Sequence, residues 1–184
     1  MREAVIIVMA KQPQVGRTKT RLCPPLSWQD AAALYEALLL DTLSLVSALQ
    51  GIDLAVAITP PESQPYFERI APAGTLLLPI EGSDIGDCLS QVIKIVLRMG
   101  YCKALALNSD GPSLPPEYLQ QAIDYLDRYD LVLGPGHDGG YYLVGMRRAA
   151  SEIFRGIAWS TDKVLSQTLE RARALGLQVW LTPV

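Results

Sequence analysis

The chain has 184 residues, of which 49% are hydrophobic and 19% charged, and its formal net charge is −3. That size and composition fit one globular domain with a substantial core and exclude a disordered chain. The acidic balance excludes a general nucleic-acid binder, which carries a basic face, and no apolar run approaches the ~20 residues that span a membrane.

Val5-Ile6-Ile7-Val8-Met9 is short, continuous and β-branched, the pattern of a fully buried strand. A loop with Pro13 and Gly16 follows, then a long helix over Trp28 to Leu49 with Ser27 as N-cap and Gly51 as its stop. Its dense apolar residues, Leu34, Leu38, Leu39, Leu45 and Val46, should pack on a sheet. Leu54 to Ile58 is a second buried strand, ended by Pro60-Pro61. A short helix over Ser63 to Ile70 and a third strand over Thr75 to Leu78 come next. A helix from Ile85 to Met99 ends at Gly100, and a fourth strand, Ala104 to Leu107, runs straight into Asn108-Ser109-Asp110-Gly111-Pro112. Pro116 suits the first position of a helix reaching about Arg128. Leu131 to Leu133 and Tyr141 to Val144 are strands joined by a short glycine-rich turn. Ser160 or Thr161 is expected to cap a last helix over Asp162 to Leu175, and Gln178 to Leu181 is a final strand.

Strands alternate with helices, so the fold class is α/β with a mainly parallel sheet. The fifth and sixth strands lie too close for a crossover helix and should form one antiparallel hairpin. Cys23, Cys88 and Cys102 are scattered with no CxxC pair, as in a cytoplasmic protein with reduced thiols. No secretory leader precedes the first strand.

Lys11, Arg17, Lys19 and Arg21 fall within eleven residues after the first strand. Ligands of parallel sheets sit beyond the carboxyl ends of strands, and four cations there suit a polyphosphate; the alternative is a solvated basic loop. The segment is neither a P-loop nor a dinucleotide GxGxxG. Asp110 follows the fourth strand, where a carboxylate either binds Mg²⁺ together with substrate phosphates or caps a turn. Gly134-Pro135-Gly136-His137-Asp138-Gly139-Gly140 is rich in glycine for a simple hairpin, which implies close backbone approach to a ligand. Asp138 is a second candidate for metal or acceptor, and His137, the single histidine, is either a base or merely solvated. Tyr141 and Tyr142 must face opposite sides of the sheet. Asp84 and Gly86 open a helix whose N-terminus either receives an anion or base edge or is simply capped. Trp159, Ser160 and Thr161 open the last helix, where Trp159 lines a pocket or fills core.

Taken in order, Lys11-Gln12-Pro13, Gly16-Arg17-Thr18-Lys19-Thr20-Arg21-Leu22, Asp41-Thr42, Asp84-Ile85-Gly86, Ser109-Asp110-Gly111-Pro112, Leu133-Gly134-Pro135, Asp138-Gly139-Gly140-Tyr141-Tyr142-Leu143-Val144-Gly145 and Trp159-Ser160-Thr161 resemble a bacterial family in the nucleotide-diphospho-sugar transferase (GT-A) superfamily. That family is related to the molybdenum-cofactor and phospholactate guanylyltransferases. The resemblance implies a three-layer α/β/α, Rossmann-like GT-A sheet and a Mg²⁺- (or Mn²⁺-) dependent transferase. In it Lys11, Gly16, Arg17, Lys19, Arg21, Asp84 and Gly86 would hold the nucleotide. Asp110 would hold the metal and act with Asp138, and Gly139, Gly140, Tyr142, Trp159, Ser160 and Thr161 would face a small-molecule acceptor. The family's usual description implies glycosyl transfer from a nucleotide-sugar. Asn108-Ser109-Asp110, in place of the Asp-x-Asp of many relatives, slightly favours the alternative to that leading reading, nucleotidyl transfer from a nucleoside triphosphate. Cys88 replaces a basic residue common in relatives. Relatives usually continue past the last strand into an acidic segment, so the resemblance also implies a missing C-terminal part and, with it, a non-catalytic nucleotide-binding module as a third reading.

Overall fold

The computed structural model describes residues 2–183. Seven strands form one sheet: β1 (Arg2–Ala10), β2 (Ile52–Ile58), β3 (Leu76–Pro79), β4 (Tyr101–Asn108), β5 (Leu131–Pro135), β6 (Tyr141–Met146) and β7 (Val179–Leu181). Their spatial order is β3-β2-β1-β4-β6-β5-β7, and β6 alone runs antiparallel to its neighbours. The helices are α1 (Trp28–Ser47), α2 (Gln64–Ile70), α3 (Ile85–Arg98), α4 (Pro116–Tyr125) and α5 (Val164–Ala174). The expected hairpin and mainly parallel sheet are both present.

The central strand shows why three layers form. Successive side chains of a strand point to opposite faces. Ala4, Ile6, Val8 and Ala10 of β1 join a core with Leu39, Leu43 and Val46 of α1 and Leu119, Ala122 and Ile123 of α4. Val5 and Ile7 join the opposite core with Leu89, Val92, Ile93 and Val96 of α3 and Ala172 of α5. A strand covered on both faces has no polar side, which explains its unbroken apolar run.

Ser27 caps α1 as expected, its hydroxyl accepting from the Asp30 N–H at 3.0 Å. The apolar density of α1 overstated its buried face: Leu39 and Val46 are buried, but Leu34 is 40% exposed. The start of α5 also differs from expectation. Neither Ser160 nor Thr161 is its N-cap, and the helix begins at Val164 after Lys163. Ser160 adopts φ 64, outside the extended geometry an N-cap uses. The Thr161 hydroxyl donates instead to the Ala158 carbonyl at 2.7 Å. The free N–H of Leu165 finds the carbonyl of Gly139 at 2.9 Å, so a distant turn caps this helix.

Asp130, 9% exposed, fastens the far edge of the sheet. Its carboxylate accepts from the Gln178 N–H at 3.0 Å and faces Arg147 and Arg148 at 3.2 and 3.3 Å. The Gln178 hydrogen bond, against an opposing cost of burial, and the two guanidinium groups hold its pKa below the ordinary 3.8. A depressed carboxylate pKa contributes stability above its unfolded value, and that contribution disappears as pH falls through the folded value. Asp130→Asn should therefore cost about 1.5–3 kcal/mol at pH 7. The difference between thermal melts of the two proteins should shrink progressively as pH falls below 3.8, and a difference unchanged from pH 7 down through that range would show that the charge is irrelevant.

Candidate active site

The carboxyl ends of β1, β2 and β4, the β5–β6 turn and the loop before α5 surround a cleft with three adjoining compartments. The central one, about 400 Å³, is lined by Met9, Arg21, Asn108, Asp138, Trp159 and Ser160 among others. A second, about 210 Å³, lies between the ends of β1 and β2 and the start of α3, beside Lys11, Thr59, Ser83 and Asp84. Met9 and Ile85 line both of these. A third, about 360 Å³, lies beside Asp110, Ser113 and Tyr118, and it shares Leu107, Asn108 and Tyr142 with the centre.

The basic loop is folded on itself before it meets the cleft. The N–H groups of Arg17 and Thr18 both donate to the Gln14 carbonyl, at 3.1 and 3.0 Å, around Gly16 at φ 76. Gln14 N–H donates to the Thr18 hydroxyl at 2.8 Å. Lys19 follows in a left-handed conformation, φ 50, and its ammonium pairs with the Asp110 carboxylate. Lys19 and Ser160 are the non-glycine residues at positive φ among those described; Ser160 lines the central compartment, and Lys19 lines none of the three but pairs with Asp110, which lines the third. Such backbone strain gathers at functional sites. Arg21 reaches the central compartment and Lys11 the second, whereas Arg17 is exposed and lines none of the three.

Tyr35 of α1 ties this arrangement together. Its hydroxyl accepts from the Lys11 N–H at 3.3 Å and shares a 2.8 Å hydrogen bond with the Ser109 hydroxyl. The Lys19 ammonium stands 5.7 Å from its ring centroid, within cation–π range. Tyr35 was not among the residues expected at the site. The available signal was an aromatic with a polar tip among mostly aliphatic residues of the buried helix face, a tip that needs a partner once buried.

The glycine-rich turn has a different reason from the one expected. Gly139 has φ 80, and a Cβ there would stand 2.2 Å from the Asp162 carbonyl oxygen. A Cβ on Gly134 would meet the Tyr142 ring at 2.6 Å, and one on Gly136 the Asp138 carboxylate at 2.7 Å. Gly134 and Gly139 are needed for packing within the protein, whereas the exposed Asp138 carboxylate could turn away from a Cβ on Gly136. Asp138 is exposed, and one of its oxygens accepts from the Gly140 N–H at 3.0 Å. Gly140 lines the central compartment with it, but His137 is exposed and lines none of the three.

Two residues assigned to phosphate have structural roles. Asp84 caps α3 by accepting from the Asp87 N–H at 2.8 Å, which places a negative charge where a phosphate would need a positive one. Gly86 accommodates Trp159, whose indole ring would stand 2.7 Å from a Cβ at that position. Tyr142 presents its ring to the cleft, but its hydroxyl is engaged with Thr182 at 2.6 Å and the Pro183 carbonyl at 3.1 Å. It therefore offers an acceptor a surface rather than a hydroxyl. Thr161 lines the cleft, and its hydroxyl binds the backbone around it.

Two polar atoms in the centre, the Trp159 indole nitrogen and the Tyr141 hydroxyl, are buried without a hydrogen bond. Burial pushes the Tyr141 pKa up to about 12. The nearby Thr168 hydroxyl, which acts in the opposite direction, is itself committed to the Val164 carbonyl at 2.8 Å. Burial likewise raises the Cys88 thiol, so it is a poor nucleophile. No group of three or more His, Cys, Asp or Glu side chains stands ready to hold a metal among the described residues. Asp110 is a lone carboxylate that already attracts a cation, Lys19. That donor set fits Mg²⁺ held jointly with substrate phosphates and water rather than by a protein cage.

Residues 42–161 match a family described as an uncharacterized protein conserved in bacteria, DUF2064. The chain is 30% identical to a Desulfovibrio desulfuricans G20 protein of known structure provisionally named a nucleotide-diphospho-sugar transferase. It superposes with a TM-score of 0.91, covering 100% of this chain and 80% of that one. It is 26% identical over 167 residues to 2-phospho-L-lactate guanylyltransferase of Methanothermobacter thermautotrophicus, covering 88% of this chain and 68% of the relative. The structure of CMP:2-keto-3-deoxy-manno-octonic acid synthetase complexed with CTP shares the fold, with a TM-score of 0.62 at 12% identity over 99% of this chain and 90% of that one.

Proposed function

Because the chain belongs to the DUF2064 family of conserved bacterial proteins, whose sheet here is that of the nucleotide-diphospho-sugar transferases, we propose that it is a Mg²⁺-dependent nucleotidyltransferase acting on a nucleoside triphosphate and a small acceptor. The observation that carries this reading is the single carboxylate of Asp110 at the carboxyl end of β4, with Asn108 two residues earlier and a cationic loop across from it. A guanylyltransferase among the relatives supports it.

In this reading the second compartment takes the base, with the Lys11 side chain at its edge. Lys19 and Arg21 neutralise the phosphates. Mg²⁺ on Asp110 would supply charge stabilisation at the phosphate oxygens. The acceptor sits in the central compartment against Trp159, Ser160 and Asp138. Its oxygen attacks the α-phosphorus, the α–β bridging bond breaks, and pyrophosphate leaves. The chain contributes position and charge, so no nucleophilic side chain is required. A nucleoside triphosphate donor also implies work in the cytoplasm. Among the described residues, no helix is long and apolar enough to cross a membrane.

Glycosyl transfer from a nucleotide-sugar is the second reading, supported by the name of the Desulfovibrio relative. Thermal unfolding with Mg²⁺ and a panel of the four nucleoside triphosphates and UDP-, GDP- and dTDP-sugars separates the two. A triphosphate at ~100 times its dissociation constant should add about 2.7 kcal/mol. A response confined to nucleotide-sugars would replace the first reading with the second. Silence from the whole panel would remove both.

A further inference from the structure

Lys19 stands on the one carboxylate that the proposed function assigns to a divalent cation. We infer that Lys19 is a resident counter-ion. It holds Asp110 in the free protein, yields the carboxylate to a divalent cation arriving with a polyphosphate, and transfers its own charge to the phosphate. The inference rests on the proposed function and adds to it a coupling between metal and nucleotide.

Three observations carry it. Lys19 is placed rather than free to wander: its backbone is left-handed and a tight 3-10 turn, Thr20–Leu22, follows immediately. The Tyr35 ring stands beside its ammonium, itself fixed by hydrogen bonds to Lys11 and Ser109. Most exposed lysine pairs are weak because ordering a long side chain costs entropy. Here the loop fixes the backbone of Lys19 and the Tyr35 ring restricts where its ammonium can go. Second, the carboxylate makes no other hydrogen bond among the described residues, so Lys19 is its sole protein partner. Third, Asp110 belongs to no cluster of metal-binding side chains among the described residues.

A divalent cation alone would therefore find one anionic ligand and have to displace an ammonium from it. Mg²⁺ binds poorly on those terms, because it needs several oxygens and sheds water reluctantly. A polyphosphate changes the exchange. It supplies further oxygens to the metal and a new partner for Lys19 in the same step. Metal and nucleotide should then strengthen each other's binding, and by linkage the factor is the same in both directions.

The test is Mn²⁺ binding to the nucleotide-free full chain, read from the electron paramagnetic resonance signal of free Mn²⁺. Lys19→Gln should bind Mn²⁺ about fivefold more tightly than the parent protein. Lys19→Arg, which keeps the charge, should match the parent, and Lys19→Gln with Asp110→Asn should lose the gain. Parent-like affinity in Lys19→Gln, or a gain that survives loss of Asp110, would overturn the inference. Parallel titrations with GTP should show Mg²⁺ and GTP strengthening each other less in Lys19→Gln than in the parent. Failure of every triphosphate to bind would count against the proposed function, while the Mn²⁺ comparison would still decide the role of Lys19.

Discussion

Asp110→Asn should lower turnover about 10²- to 10³-fold, the scale of losing one preorganised electrostatic contact to a developing charge. The same variant should split nucleotide binding in two directions. In Mg²⁺ the nucleotide should stabilise the variant less than the parent, because the metal has lost its protein ligand. In a chelator the variant should bind at least as well as the parent, because Lys19 no longer has a carboxylate partner and is free for phosphate. Thermal melts with GTP, with Mg²⁺ or with a chelator, would show this crossing. A variant whose Mg²⁺-dependent stabilisation equals that of the parent would remove Asp110 from the metal site.

The largest stability loss is expected at Gly139→Ala. Two costs add there. A left-handed backbone costs a non-glycine residue about 1–2 kcal/mol, and Gly139 has φ 80. Its Cβ would also stand 2.2 Å from the Asp162 carbonyl oxygen, a backbone atom that cannot swing aside. Overpacking of that kind costs about a further 1–3 kcal/mol. The melting temperature should fall by about 5–15 °C. Moving the turn also withdraws the carbonyl that caps α5 through Leu165. Gly16→Ala is the control, since Gly16 has φ 76 but nothing within 4 Å of a Cβ. It should lose only the conformational part. Equal losses in the two variants would mean that the contact with Asp162 carries no weight.

The strands were legible because a strand buried on both faces leaves a continuous apolar run, as in Val5 to Met9 and Ala104 to Leu107. The cap of α1 was legible because Ser27 acts on its own neighbour, Asp30. Features that depend on distant partners were hidden. The start of α5 depends on a carbonyl in another turn, Gly139, so local capping rules misplaced it. The glycines of the β5–β6 turn were identified as close-approach positions, but what approaches them is Asp162, Tyr142 and Asp138. Charge at strand ends pointed to Arg21, Lys19, Asp110 and Asp138, and the structure lines the cleft with Arg21, Asp138 and Asp110 and pairs Lys19 with Asp110. Tyr35 was not legible, since its partners Lys11 and Ser109 lie 24 and 74 residues away. Gly86 was legible as special, but its reason, the ring of Trp159, was not.

The reversed strand β6 has a consequence for how the cleft comes into being. Its neighbour β5 is reached through a five-residue turn, so the hairpin bearing Asp138 pairs locally in the chain before β6 meets β4 and the turn meets Leu165. The opposite wall joins Lys19 to Asp110 across 91 residues and needs β1 beside β4 before it exists. During synthesis, a ribosome that has released the chain only as far as β3 has already exported every cation of the basic loop without the carboxylate that neutralises one of them. Closing the sheet is therefore also the event that neutralises one charge of the loop, that of Lys19, and so tunes its pull on anions.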